Sequence, residues 1–396
     1  LDKITLSNRV QRIKPSPTLS VTARVAELRA AGKDIIGLGA GEPDFNTPEP
    51  ISAAAIEAIR AGFTRYTAVD GTPELKQAII AKFRRDNGLD YAPKQILVSC
   101  GGKQSFFNLC QALLNAGDEV IIPAPYWVSY PDMVRLADGE PVIVRAGMEA
   151  GFKITPEQLQ AAITARTRLF VINSPSNPTG VAYTRAELAA LGEVLANSPQ
   201  VLIATDDMYE HILWSAEPFS NLLNACPDLY PRTIVLNGVS KVYAMTGWRI
   251  GYAGGPADLI KSMKKIQSQS TSNPTSISQV AAQAALEGDQ SCIEPMLKAF
   301  RERHDYVVSA LNKIPGVHCL PADGTFYCFL HVQPVIDALD GVADDVDLTE
   351  YLLDHAGVAL VPGTAFGSPG YLRLSFATGM DVLKEALSRI ESALTP

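Results

Sequence analysis

No stretch of this 396-residue chain approaches the roughly 18 consecutive apolar residues that a membrane span needs. Its first residues, Leu1-Asp2-Lys3-Ile4-Thr5, lack the apolar core of a secretory leader. No run of lysine or arginine stands out, and 34 basic against 42 acidic side chains leave a net charge of −8. Nucleic acid and anionic membrane are therefore not expected partners. The six cysteines (Cys100, Cys110, Cys226, Cys292, Cys319 and Cys328) form no CxxC pair, and several sit in apolar runs as small buried thiols do. A reducing, cytoplasmic setting is the expectation. The five histidines show no HExxH spacing, so no metal site is expected. What remains is 47% hydrophobic and 19% charged, an ordinary globular composition in a chain long enough for two or three domains.

Between about residues 50 and 290, short apolar runs alternate with stretches of helical period. This is the pattern of an α/β domain with a mostly parallel sheet. The spacing predicts strands over 96–100, 119–123, 142–145, 168–173, 201–206, 233–237 and 250–254, and helices over 104–115, 185–196 and 258–268. Beyond residue 290 a charged helical stretch over 295–311 leads to an apolar segment over 324–330. A helix around 348–355 and a strand over 371–376 follow, a second α+β layer. The first 47 residues are too few for a domain and must pack on another part of the chain.

The segment from Asn237 to Tyr252 carries the strongest chemistry. Lys241 follows a strand, and Arg249 comes eight residues later. Ligands bind at strand ends in α/β sheets, and a lysine desolvated there loses pKa and becomes a Schiff-base nucleophile. The apolar run 201–205 ends in Asp206, where a carboxylate can hold a ring nitrogen protonated. Tyr209 stands three residues on, placed to bond a phenolic oxygen. Another strand runs into Asn173-Ser174-Pro175-Ser176-Asn177-Pro178, which puts the Asn177 amide at the mouth. The strand-to-helix turn Ser99-Cys100-Gly101-Gly102-Lys103-Gln104 aims backbone N–H groups and a helix dipole at an anion. A phosphate fits there, with Arg249 as its charge-assisted partner.

Two other motifs fail. Gly37-Leu38-Gly39-Ala40-Gly41-Glu42-Pro43 puts Glu42 where a dinucleotide loop needs its third glycine, and Pro43 where the helix should continue. Gly238-Val239-Ser240-Lys241-Val242 lacks the closing glycine of a nucleophile elbow.

Along nearly its whole length the chain resembles class I aminotransferases of pyridoxal-phosphate fold type I. It is most similar to the bacterial branch of aspartate and aspartate/prephenate aminotransferases. The resemblance rests on Gly41-Glu42-Pro43-Asp44-Phe45, Gly101-Gly102-Lys103-Gln104, Pro125-Tyr126-Trp127-Val128-Ser129-Tyr130 and Met245-Thr246-Gly247-Trp248-Arg249. It implies a large cofactor-binding domain over 48–290 with a seven-stranded, mostly parallel sheet, and a small domain from 1–47 plus 291–396. The implied cofactor is pyridoxal 5'-phosphate, carried on Lys241, which also moves the substrate proton. Asp206 then pairs with the ring nitrogen, Tyr209 and Asn177 bond the phenolic oxygen, and Trp127 stacks on the ring. Gly102, Lys103 and Arg249 hold the phosphate, joined by Tyr66 from a neighbouring subunit, so the resemblance implies a homodimer with shared sites.

For the substrate it implies that Arg373 clamps the α-carboxylate with Asn177, Trp127 and the Gly39 backbone. Lys14 and Lys103 would then take the distal carboxylate. Outside this context Arg373 reads as a strand-edge surface charge and Lys14 as a solvated one. Gly238 departs from the family, which often has a phosphate-binding serine there. The expected reaction is ping-pong transfer from aspartate to 2-oxoglutarate, with prephenate as a further acceptor. An aromatic or alanine aminotransferase and a β-lyase are the alternatives on the same fold. A regulatory protein using the fold as a sensor is disfavoured, because Lys241 and Asp206 are both present.

Overall fold

In the computed structural model, which describes residues 4–395, the alternating apolar runs become one sheet. After a two-residue strand β1 (Ile36–Gly37) come β2 (Ile96–Ser99), β3 (Glu119–Ala124), β4 (Glu140–Arg145), β5 (Thr167–Asn173), β6 (Leu202–Asp206), β7 (Thr233–Gly238) and β8 (Gly251–Gly254). These last seven lie in the order β2-β8-β7-β6-β5-β3-β4. All seven expected strands are there, each within two residues of its predicted ends. The sheet is parallel except for β8, which runs antiparallel to both β2 and β7. Central strands carry apolar residues on both faces because helices cover both, and β7 is buried at every position.

The helices form where the periodicity placed them. Arg185–Ala196 starts at a capping box in which the Thr184 hydroxyl accepts from the Glu187 N–H (3.2 Å) and the Glu187 carboxylate accepts from the Thr184 N–H (2.7 Å). Its Leu188, Leu191 and Leu195 face the sheet, each contributing roughly 1.5–3 kcal/mol of apolar burial. The helix Gly102–Leu113 covers the opposite face through Phe106, Leu109 and Cys110.

The rest of the chain builds a second core. Strands β9 (His318–Cys319), β10 (Tyr327–His331), β11 (Val358–Ala359), β12 (Val361–Pro362) and β13 (Tyr371–Ser375) follow. A four-stranded antiparallel sheet has the order β12-β13-β10-β9. The helix Ile293–Leu311 packs on it through Met296, Phe300, His304, Val307 and Leu311, spaced three and four apart. The glycine-rich stretch near residue 37 forms β1, which pairs in parallel with β11, and the Ser375 N–H donates to the Leu38 carbonyl at 2.8 Å. The N-terminal segment is thereby fastened to the C-terminal layer. No helix among the described residues is long and apolar enough to cross a membrane.

Candidate active site

The register of the parallel strands sets the stage. Asn173 at the end of β5 pairs with Asp206 at the end of β6, and Asp206 with Leu236, two residues before the end of β7, so the three strands finish close together. The Asn173 amide donates to the Asp206 carbonyl (2.9 Å) and its oxygen accepts the Asn177 N–H (2.8 Å), which holds the Asn177 turn over β6.

Asp206 accepts the Tyr130 hydroxyl and the Met208 N–H (3.3 Å). Burial pushes its carboxyl above the usual range, while these two bonds and the Lys241 charge oppose the rise. The hydroxyls of Tyr209 and Tyr327 share a hydrogen bond of 3.0 Å, either one able to donate. Burial also pushes the Tyr209 phenol well up, with Tyr327 adding to it.

Lys241 Nζ donates to the Gly41 carbonyl and lies 5.9 Å from the ring centres of Tyr209 and Phe326. Its amine is pushed down from 10.5 to about 8, first by burial and then by the Arg373 charge, with Arg249 adding and Glu42 and Asp206 opposing. A lysine so tuned is roughly 10–20% neutral near physiological pH, far more than a free lysine, which suits both nucleophilic and base chemistry.

Glycine is required where β8 meets the helix Gly102–Leu113. A Cβ on Gly251 would strike the Gly101–Gly102 backbone, and one on Gly101, whose φ is +89°, would strike the Arg249 guanidinium. The close approach sets Arg249 beside the first helical amides, which no intrahelical carbonyl reaches. Its Nη1 donates to the Thr246 carbonyl (2.8 Å) and its Nη2 to the Cys100 carbonyl (3.3 Å).

Arg373 is 2% exposed, not a strand-edge surface charge, because β13 lies between β12 and β10. Its Nη1 donates to Asn177 Oδ1 (2.8 Å) and its Nη2 to the Gly39 carbonyl (2.7 Å). The guanidinium stands 4.4 Å from the centre of the Tyr327 ring and 4.9 Å from that of Phe366. Its buried Nε–H has no partner, an open donor beside two that are fixed. Trp127 is half-buried, edge-on to Tyr130 at 5.2 Å, with the Lys103 ammonium 5.3 Å from its ring centre. Burial, then the Arg249 charge, lowers the Lys103 amine below its ordinary value.

Contacts thus join Lys241, Asp206, Tyr209, Asn177, Arg373 and Gly39 in one cluster, with Trp127 and Lys103 linked through Tyr130. Met208 connects them to the Arg249 end: a Cβ on Gly102 would meet Met208 Cε at 2.6 Å. Two residues stand outside it. Tyr66 is 92% exposed, and Lys14 is exposed, with no side-chain hydrogen bond or ion pair among the described residues. Sequence reasoning missed Tyr130 and Tyr327. Tyr130 follows Trp127 by three residues, and a fully buried tyrosine requires a partner for its hydroxyl. Its partner Asp206 lies 76 residues on, beyond the reach of any local pattern.

The profile of the family Aminotransferase class I and II matches residues 33–390. The chain is 63% identical over 395 residues to an aspartate/prephenate aminotransferase of Nitrosomonas europaea, covering 98% of this chain and 100% of that one. It is 57% identical to another of Cereibacter sphaeroides, covering 98% of each. Among solved structures it superposes on the aspartate aminotransferase from Rhizobium meliloti with a TM-score of 0.95 at 48% identity, covering 99% of both chains. It superposes on that from Thermus thermophilus with maleate at 0.93 and 43% identity, covering 99% of this chain and 100% of the other. The strand-end lysine and carboxylate and the buried arginine therefore stand in a chain that belongs to the class I and II aminotransferases, enzymes that transfer an amino group from an amino acid to a 2-oxo acid.

Proposed function

We propose that this aminotransferase uses pyridoxal 5'-phosphate, takes L-aspartate as amino donor, and passes the amine to 2-oxoglutarate or prephenate. The observation that carries the reading is the buried Lys241 amine, lowered to about 8, in one cluster with Asp206. The residues present fit the cofactor. Lys241 suits its aldehyde, Asp206 its ring nitrogen, Tyr209 and Asn177 its phenolic oxygen, Trp127 its ring face, and Arg249 with Gly102 and Lys103 its phosphate. Glycines 101 and 251 leave a cradle at the phosphate end that side chains would fill. When bound, pyridoxal phosphate supplies the carbonyl that receives the amino group and a ring that delocalises the charge left by the departing Cα proton.

The chain's own residues do the rest. Lys241 Nζ would hold the cofactor through its aldehyde, and as a free amine would take the Cα proton. Asp206 keeps the ring nitrogen protonated, and Tyr130 keeps Asp206 oriented. Arg373 offers its unpartnered Nε–H to the α-carboxylate while Asn177 and Gly39 hold its other nitrogens. Lys103 and Lys14 attract the distal carboxylate. The names of the relatives support aspartate and prephenate, and a dicarboxylate, maleate, is named with the Thermus structure.

The same reading assigns 48–290 as the large cofactor-binding domain and 1–47 with 291–396 as the small one. The partition of the apolar core into clusters around the two main sheets supports this division. It also includes a homodimer in which Tyr66 serves the neighbouring subunit's phosphate. The exposed side chains of Ile56, Ile59, Phe63 and Tyr66 support a second copy as the occupant of that face. A cytoplasmic location completes it, supported by six free thiols.

The test is the visible spectrum of purified protein before and after L-aspartate is added without oxo acid. A band that bleaches, and is restored by prephenate or 2-oxoglutarate, is expected. A band unmoved by aspartate removes the donor assignment, and failure to reconstitute any band removes the cofactor reading. Specificity constants for aspartate, tyrosine and alanine separate the substrate alternatives.

A further inference from the structure

Asp206 and Tyr209 face the site, while Asp207 and Glu210, the alternate members of the same short segment, face the interior of the large sheet's domain. Glu210 is 5% exposed and pairs with Lys82, a lysine 1% exposed at the end of the helix Pro73–Lys82. Asn87 Nδ2 donates to Glu210 Oε2 at 2.7 Å, and Asn237 Nδ2 donates to Glu210 Oε1 at 2.7 Å. Lys82 Nζ donates to Asn87 Oδ1 at 2.8 Å, and Asn237 Oδ1 accepts the Gly238 N–H at 2.7 Å. Asn237 lies on β7, four residues before Lys241. One carboxylate therefore ties the segment bearing Asp206 and Tyr209 to the strand that delivers Lys241.

Asn237 and Asn87 both present N–H to Glu210 and Lys82 presents an ammonium, so these three neighbours demand an acceptor, while His211 Nε2 stands 3.4 Å from the same carboxylate. A carboxylate meets that demand, whereas an amide would turn an N–H toward one of them. Stability alone does not explain the pair. Buried ion pairs of this kind are often replaced by apolar residues of similar volume at no cost or with a gain. What an apolar replacement cannot supply is a directional bond to Asn237.

We propose that Glu210, braced by Lys82, is a positioning residue for transamination, fixing the Asp206–Tyr209 segment against the Lys241 strand through Asn237. It touches neither substrate nor cofactor. The proposal rests on the site reading above, in which Lys241 carries the cofactor and Asp206 holds its ring nitrogen.

The experiment uses the cofactor-loaded enzyme and three variants: Lys82→Met/Glu210→Leu, which replaces the ion pair with apolar side chains; Asn237→Ala, which cuts the tether and leaves the pair; and Lys241→Ala. Readouts are kcat and KM for L-aspartate, the pH midpoint of the visible band, and thermal stability. The first two variants are expected to lose about tenfold or more in kcat, as small misplacements of reacting groups do, and to shift the midpoint by about one pH unit. KM should move less than about twofold, because Arg373 sits on a different element. A folded Lys82→Met/Glu210→Leu enzyme with wild-type kcat and midpoint overturns the proposal. If that variant does not fold, Asn237→Ala decides by the same criteria. Lys241→Ala separates the two levels. If it keeps the visible band and activity, the site reading falls and the positioning role with it. If it loses both while Asn237→Ala behaves as wild type, only the positioning role falls.

Discussion

Substituting Arg373→Lys keeps a buried cation while removing the fork. In the structure two guanidinium nitrogens are fixed by Asn177 and Gly39, and Nε–H is left open within a clasp of Tyr327 and Phe366. A carboxylate docked on that Nε–H and on the second N–H of an adjacent Nη, whose first N–H is already given to Asn177 or Gly39, makes two charge-assisted bonds, each worth about 1.5–3 kcal/mol. Lysine recovers one of them without the planar geometry. A net loss of about 3 kcal/mol corresponds to a fall of about 150-fold in kcat/KM. The α-carboxylate is held equally before and during proton transfer, so the loss should lie in KM, with kcat falling by no more than about fivefold. Initial rates of oxaloacetate release from L-aspartate and 2-oxoglutarate measure both constants, with circular dichroism to confirm the fold. A kcat/KM within about threefold of wild type would place the carboxylate elsewhere. A loss confined to kcat would refute the ground-state clamp.

Tyr130→Phe removes the hydroxyl that orients and acidifies Asp206, so kcat should fall about 5- to 10-fold with KM for aspartate unchanged; unchanged steady-state constants would show that Asp206 needs no such support. Covalent capture of pyridoxal phosphate by apoprotein should accelerate about tenfold per pH unit below about 7 and level off above about 9, because the Lys241 amine is half neutral near 8. The folded chain has given up that proton between about 8 and 10.5 while the unfolded chain keeps it. This group should therefore add to apoprotein stability as pH rises through that window, and a capture rate flat from pH 6 to 10 would contradict the lowered amine. Gly238→Ser, which installs the serine that the family resemblance leads one to expect at this position, should cost about 1–3 kcal/mol in urea unfolding. Its Cβ would stand 3.1 Å from both Gly251 Cα and the Ile250 carbonyl, and 3.2 Å from Met208 Cε.

The large sheet is legible because a strand buried on both faces is written as an unbroken apolar run, as in most of its strands, and even the half-buried β4 keeps a short apolar run between clear turn residues. The reversal of β8 was not, since direction leaves no mark in a four-residue strand. The short strands β1, β9, β11 and β12 were missed for a similar reason: two residues carry no period. Gly37-Leu38-Gly39 fails as a dinucleotide loop, its Gly37 closing β1 instead, yet nothing local shows that the Gly39 carbonyl accepts from a side chain 334 residues away. Arg373 was found through resemblance. Its own context, Tyr371-Leu372-Arg373-Leu374-Ser375, suits an edge strand equally well, and the strands on either side of it decide the matter. Lys82 and Glu210 each look like surface charge on a helix or turn, and their pairing depends on how β6 and β7 sit beside the helix Pro73–Lys82.

The chain carries a net charge of −8, yet its candidate substrates and cofactor are anions, so attraction must be local. Around the cluster stand Lys241, Arg373 and Arg249 against Asp206 and Glu42, with Lys103 at Trp127 adding a further cation. Burial weakens solvent screening there, which magnifies each charge and moves both the lysine and the aspartate toward neutrality. Lys241 settles near 8 because Glu42 and Asp206 offset part of the push from burial, Arg373 and Arg249. A bound phosphate beside Arg249 and a substrate carboxylate beside Arg373 would quench those two cations. Occupancy would then remove the two charges that add to burial in holding the lysine amine low, and so raise its proton affinity where Nζ must accept a proton from Cα. The anion-binding groups of the pocket thus also tune its base.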